Sequence, residues 1–279
     1  MILLKRLNMK DYLYIDSADD SHQSRFKVSQ TPKIDYLIKE KHFEEALAEI
    51  DELLKTDYSS TNLNIKGIIL DNLCEYEKAI ECFNVSLSID ESQDIQLNKA
   101  NSLFKWAKVT FFPQADYDKA LELIDYGLDT IPDSEDPSEF YFLKAEILEA
   151  LNQLADAHKC YLIAYKEFDR LKEFEMQCDY LNNTTDTLIN VVGGDFYNFT
   201  PKTGDIISLV KDDENEHDKD AIAVVFKGET VGYVANNPYT LIDEVSSASD
   251  ILNSIENNQK AEILFRYLGE YVIARLIPE

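Results

Sequence analysis

The first half of the chain repeats itself, and that period limits what it can fold into. His42-Phe43-Glu44-Glu45-Ala46-Leu47 is matched by Glu75-Tyr76-Glu77-Lys78-Ala79-Ile80, by Asp116-Tyr117-Asp118-Lys119-Ala120-Leu121 and by Gln153-Leu154-Ala155-Asp156-Ala157-His158. The alanines are 33, 41 and 37 residues apart. Four residues after each stands an apolar residue (Ile50, Phe83, Ile124, Tyr161), and another follows at plus eight (Leu54, Leu87, Leu128, Tyr165). Residues four and eight apart share one face of a helix, so each repeat predicts an amphipathic helix with its alanine where a neighbour comes close. The residue three before the alanine (Phe43, Tyr76, Tyr117 or Leu154) is expected to open the helix and plug the turn.

A second helical pattern precedes each of these. Ile34, Gly67 and Ala145 stand twelve residues before their alanines, while Ala100 is displaced by an insertion of about seven residues around Ala107 to Pro113. Helix-turn-helix units near this length, with small and aromatic residues at fixed offsets, resemble tetratricopeptide (TPR) repeats over residues 32 to 180. Pro132 stands where that family often ends its second helix. The resemblance implies a solenoid of about four stacked pairs with an inner groove for a protein or peptide partner. Candidate groove residues are Asn64, Asp71, Asn98, Asn101 and Lys105. Asn98 resembles part of the Asn/Lys arrangement that clamps C-terminal carboxylates in chaperone-binding relatives; the simpler expectation is that these amides solvate an exposed helix face. Val109, Phe111, Phe112 and the single Trp106 are expected to pack under the neighbouring repeat, the alternative being a partner patch.

Near Thr187 the period changes. Leu188 to Val192, Ile206 to Val210, Ala221 to Phe226, Thr230 to Val234, Ala261 to Tyr267 and Tyr271 to Ile277 read as short strands. Lys227-Gly228-Glu229 and Leu268-Gly269-Glu270 read as hairpin turns, and Tyr239 to Ile255 as a helical stretch. The expectation is a small β-barrel-like module with one or two helices, making the chain an α+β protein of two domains. The domains are placed at 32–180 and 186–279, after a partly ordered lead-in or cap at 1–31.

In this second half, Asn215, Asp218, Ala221-Ile222 and Val224, followed by Val231-Gly232-Tyr233-Val234, resemble the HIRAN domain. The resemblance covers residues 186 to 279 and includes Val191-Val192-Gly193 with the pair Phe196-Tyr197. It implies an OB-type module that captures a single-stranded DNA 3′ end, with bases stacked on aromatics and the terminal hydroxyl at a carboxylate. Carried over by position, Phe196 and Tyr197 would stack, Asn215, His217 and Asp218 would read the end, and Tyr233 would form the neighbouring wall. Asp195 stands where the DNA-binding relatives have Arg, and Asn236 where a basic residue often follows Gly-Tyr-Val. The alternative is that the Asn/Asp turn only folds the module.

Charge bears on that choice. Asp and Glu number 53 against 27 Lys and Arg, a net −26. Residues 181 to 279 hold seventeen acidic and seven basic side chains, a net −10. A phosphate chain is repelled by such a surface. Apolar runs reach six residues, as at Ala221 to Phe226, too short for a membrane span, and MILLKR is too short for a signal-peptide core. The four cysteines form no C-x-x-C pair. A cytoplasmic protein is expected. No phosphate loop, zincin, nucleophile-elbow or dinucleotide motif occurs, so neither catalysis nor a cofactor is expected. His158 and Cys160 would point to different helix faces, and Asp212 to Asp220 lack the Gly and Glu of a calcium loop, so no metal site is expected. The whole reads as a non-enzymatic adaptor with a peptide groove and a nucleic-acid module, the alternative being a purely protein-binding scaffold.

Overall fold

The computed structural model describes residues 32–194 and 196–278. The expected lead-in at 1–31 and Asp195 lie outside the described residues. The chain divides into two compact units, Met1–Asn152 and Gln153–Glu279.

In the first unit the periodic segments become helix pairs: α1 (Pro32–Lys39) with α2 (Phe43–Leu54), α3 (Ser60–Asn72) with α4 (Tyr76–Ile89), and α5 (Gln93–Phe111) with α6 (Tyr117–Thr130). A further first helix, α7 (Ser138–Ala150), follows. Each helix packs on the next, and the first helices also touch one another, α3 on α5 and α5 on α7. Ala46, Ala79 and Ala120 are fully buried, as the close approach requires. At the matching place on the first helix of the second pair the room is smaller still. A Cβ on Gly67 would stand 2.6 Å from the Phe83 ring of α4, so only glycine lets that ring seat against α3.

The turn within each pair has a feature that composition conceals. Lys41, Cys74 and Ala115 have φ of 59°, 60° and 57°, each five residues before its repeat's alanine. The left-handed conformation lets the chain reverse directly into the second helix, a position glycine usually takes. The insertion in the third repeat lengthens α5 to Phe111. Trp106 and Phe111 pack against the core, as expected, whereas Phe112 is 57% exposed and is corrected to a surface residue. It caps α5 at the point where the chain leaves the helix, in an extended conformation.

The second unit opens with the helical hairpin α8 (Leu154–Ala164) and α9 (Phe168–Asn183). Its strands are β1 (Leu188–Val192), β2 (Ile206–Lys211), β3 (Ile222–Phe226), β4 (Glu229–Val234), β5 (Gln259–Tyr267) and β6 (Tyr271–Leu276). They close a barrel in the order β1-β4-β3-β2-β5-β6, with every pairing antiparallel. Lys227-Gly228 and Leu268-Gly269 turn the β3–β4 and β5–β6 hairpins with positive φ at both residues, matching the twist of the strands. Inside lie Ile189, Val191, Ile207, Leu209, Ile222 and Val224. A second apolar layer buries Leu162, Phe174, Cys178 and Leu181 of the helical hairpin with Leu188, Tyr267 and Ile273 of the barrel. The α+β class expected from the sequence is therefore the class observed: helical repeats, then a closed barrel.

The expected helix from Tyr239 to Ile255 is corrected to a single short one, α10 (Ala248–Ile251). The segment before it is drawn to β1: Asn190 Nδ2 donates to the Thr240 carbonyl at 2.8 Å, and the Ser246 amide to the Leu188 carbonyl at 2.8 Å. A continuous helix would have used that carbonyl and amide internally. Ser247 then starts α10 with a capping box shared with Asp250. Among the described residues no helix is long and apolar enough to cross a membrane.

Candidate functional site

Two groups of side chains carry the candidate sites, one in each unit. In the helical unit, Asn64 and Asp71 on α3 recur 34 residues later as Asn98 and Lys105 on α5. One repeat of translation brings the pairs together. Asn98 Nδ2 donates to Asn64 Oδ1 at 3.1 Å, and Lys105 Nζ to Asp71 Oδ2 at 2.6 Å. The amides are not solvating an exposed face. Asn64, Asp71, Asn98 and Asn101 are buried, because α5 lies directly against α3 and the polar ridge forms the seam between them. The seam is incompletely satisfied: Asp71 Oδ1 and Asn98 Oδ1 are buried without a hydrogen-bond partner among the described residues. Such acceptors are costly to leave unpaired. Sequence reasoning missed Lys99, which is buried on α5, bonds the Tyr126 hydroxyl, and holds its ammonium 4.2 Å from that ring's centroid. No spacing rule pointed to it.

In the barrel unit the candidate residues gather where β1, β2, β3 and β4 come together. β1 ends at Val192 beside Tyr233 of β4, and Tyr233 in turn pairs with Ala223 of β3. Gly232 makes this possible, since a Cβ there would meet the Val192 carbonyl oxygen at 2.6 Å. After β1 the chain forms a tight loop, with Phe196 and Tyr197 amides donating to the Gly193 carbonyl at 3.0 and 3.3 Å. That loop sets the Tyr197 ring 6.5 Å from Tyr233 and the Phe196 ring 5.1 Å from Tyr197, edge to face. Phe196 is 83% exposed.

The turn between β2 and β3 completes the group. Asn215 Oδ1 accepts from the His217 and Asp218 amides at 3.0 and 3.1 Å, the short-range pattern that lets Asn fold a turn. Asn215 Nδ2 and the Tyr233 hydroxyl both donate to Asp212 Oδ2 at 3.1 Å. Burial, with the Asp212 carboxylate as hydrogen-bond acceptor and neighbouring charge, pushes the Tyr233 phenol up to about 12, so it stays a donor at neutral pH. Asp218 Oδ1 accepts from the Asp220 amide at 3.0 Å and Oδ2 from Asn236 Nδ2 at 2.9 Å. Asn236 Oδ1 passes the chain of bonds to the Ser249 amide of α10.

The structure thus joins Phe196, Tyr197, Tyr233, Asn215 and Asp218 into one contiguous network. His217 joins it through its backbone, with an exposed side chain. Asp212 and Asn236 are members that sequence reasoning had passed over as part of an acidic run and as a departure from a motif. Their offsets from Asn215 and Tyr233 were the only signal. Among the described residues no group of three or more His, Cys, Asp or Glu side chains is placed to hold a metal ion.

The fold so defined is a set of helical hairpin repeats followed by a closed six-stranded barrel. No protein-family model matches the chain, and no curated protein matches it. Among solved structures, the crystal structure of MamA is similar at 15% identity over 50% of this chain and 77% of that chain, with a TM-score of 0.36. The MamA RS-1 ArsTM double mutant is similar at 18% identity over 52% of this chain and 92% of that chain, with a TM-score of 0.33. At these scores neither likeness carries weight for the function of this chain.

Proposed function

We propose that the chain is a non-enzymatic adaptor of the tetratricopeptide type, whose helical unit takes a protein or peptide partner along its first helices, and whose barrel is a HIRAN-type recognition module. The observation that carries this reading is the seam at one-repeat spacing, Asn64 to Asn98 and Asp71 to Lys105, with two buried acceptor oxygens that have no donor among the described residues. Both oxygens are closed to solvent in the free chain, so the backbone amides of an extended partner reach them by turning these side chains outward on binding. The test is the double variant Asn64→Ala/Asn98→Ala, which removes both members of a hydrogen-bonded pair and so leaves no new orphan between them. Cross-linked partners recovered with the wild type are expected to disappear with the variant while its helical circular dichroism is kept. An unchanged partner set with a folded variant would remove the seam from the reading.

A second reading gives the barrel a single-stranded nucleic acid, at Phe196, Tyr197 and Tyr233 for stacking and Asn215, His217 and Asp218 for a 3′ end. The exposed Phe196 ring beside Tyr197 favours it, since bases stack on open aromatic faces. Against it, both Asp218 oxygens already accept bonds that hold the turn. Anisotropy of labelled strands with free or blocked 3′ ends, at low and moderate salt, separates the two readings. End-dependent, salt-sensitive binding would establish the nucleic-acid module, and its absence would leave the protein-binding scaffold alone.

A further inference from the structure

The barrel's aromatic group has a ligand chemistry that neither reading assigns. We propose that Phe196, Tyr197 and Tyr233, with the Asp212 carboxylate at the Tyr233 hydroxyl, receive a cationic side chain of a basic peptide, an arginine guanidinium or a lysine ammonium.

The aromatic part is built in advance. Gly193, at φ 81°, lets the chain fold back so that its carbonyl accepts the Phe196 and Tyr197 amides, and the Phe199 amide closes the loop on Gly194 at 2.8 Å. A side chain on a loop pinned in this way loses little freedom on binding. The rings stand 5.1 and 6.5 Å apart at 82° and 48° to one another, not stacked in parallel. Phe196 is left 83% open to solvent, far more than folding requires of a phenylalanine. Aromatic faces attract cations to within about 6 Å of the ring centroid, and guanidinium most often.

Charge selects the occupant. The turn that supplies Asp212 also carries Asp213, Glu214 and Glu216, against Lys211 and Lys219. Tyr233 fixes Asp212 at the rim of the rings by donating to Oδ2. A phosphate backbone approaching these rings meets carboxylates, whereas a cation is steered toward them and finds both an acceptor and a π surface. The chain neighbour of Phe196 is Asp195, an acid, and Asn236 just after β4 is neutral and already committed to Asp218. A hydrated metal ion gains nothing from the rings, so an organic cation on a peptide is the occupant that uses every part of the group.

The full chain is titrated, by fluorescence anisotropy, against a labelled Gly-Ser-Arg repeat peptide, the same peptide with citrulline for arginine, and a labelled oligothymidine. Citrulline keeps the shape and hydrogen bonds of arginine and removes its charge. The arginine peptide is expected to bind, and to weaken about five- to tenfold with citrulline, with Phe196→Ala and with Asp212→Asn. Phe196→Ala changes an exposed side chain, so loss of binding there is not loss of fold. Asn64→Ala/Asn98→Ala is expected to leave this binding unchanged, which separates it from the helical seam. Equal binding of the citrulline peptide, or an affinity that Phe196→Ala does not alter, would overturn the proposal. So would oligothymidine binding that Phe196→Ala abolishes.

Discussion

At the scale of single residues, the informative positions are those where the backbone asks for something the side chain does not advertise. Ala115 holds φ 57° on the surface, where a non-glycine residue in the left-handed region is strained. Replacing it by glycine relieves the strain, less the greater freedom glycine has unfolded, so Ala115→Gly is expected to stabilise the protein by about 0.5–1 kcal/mol in chemical denaturation. Gly232→Ala should act in the opposite sense. Its Cβ would lie 2.6 Å from a backbone oxygen of β1, which cannot rotate away, and a loss of about 2–3 kcal/mol is expected from the same measurement. Tyr233 supplies a third test. Its phenol is pushed up to about 12, first by burial and then by the Asp212 carboxylate, above the unfolded value near 10. Its contribution to stability is therefore complete below about pH 10 and is lost as pH rises toward 12. Burial also raises the phenols of Tyr76, Tyr267 and Tyr271, so ultraviolet titration should show a group of late-ionising tyrosines that loses one member in Tyr233→Phe.

At the scale of elements, α8 and α9 are the instructive pair. In sequence α8 completes the fourth alanine-centred repeat, yet Leu162, Phe174, Cys178 and Leu181 share an apolar layer with Leu188, Val245, Tyr267 and Ile273. The Phe174 ring stacks on Tyr267 at 5.2 Å, and Cys178 Sγ lies 3.7 Å from the Tyr267 hydroxyl. A fragment 153–279 is therefore expected to fold with dispersed amide resonances, whereas 186–279 exposes the apolar residues that this hairpin covers and is expected to aggregate or lose dispersion. The short helix α10 depends on its cap in a similar way. Ser247→Ala removes the side-chain half of the capping box, the acceptor for the Asp250 amide, while the Ser247 amide keeps its bond to the Asp250 carboxylate, and it is expected to cost about 1 kcal/mol in thermal or denaturant unfolding.

At the scale of the whole molecule, a net charge of −26 dominates. Self-repulsion opposes the compact state and is screened by salt. The thermal midpoint is expected to rise between about 0.01 M and 1 M salt, over which the Debye length falls from roughly 30 to 3 Å. A midpoint that falls instead would mean that specific ion pairs such as Lys105–Asp71 outweigh the repulsion.

The alanine stripe of the repeats and the six short strands were legible because helix and strand bury one face at a fixed period, which local sequence records directly. The Asn215 turn was legible for the same reason, its hydrogen bonds spanning only a few residues. What tertiary structure decided was where each face went. Asn64 and Asn98 look like surface amides until α5 is laid on α3, and Tyr239 to Val245 look helical until β1 claims their polar groups. The left-handed turns at Lys41, Cys74 and Ala115 carry no glycine to mark them. The union of Phe196, Tyr197, Tyr233 and Asp212 also exists only in three dimensions. Sequence encodes periodicity and local bonds, but contacts between distant segments depend on which surfaces the rest of the fold leaves to be covered.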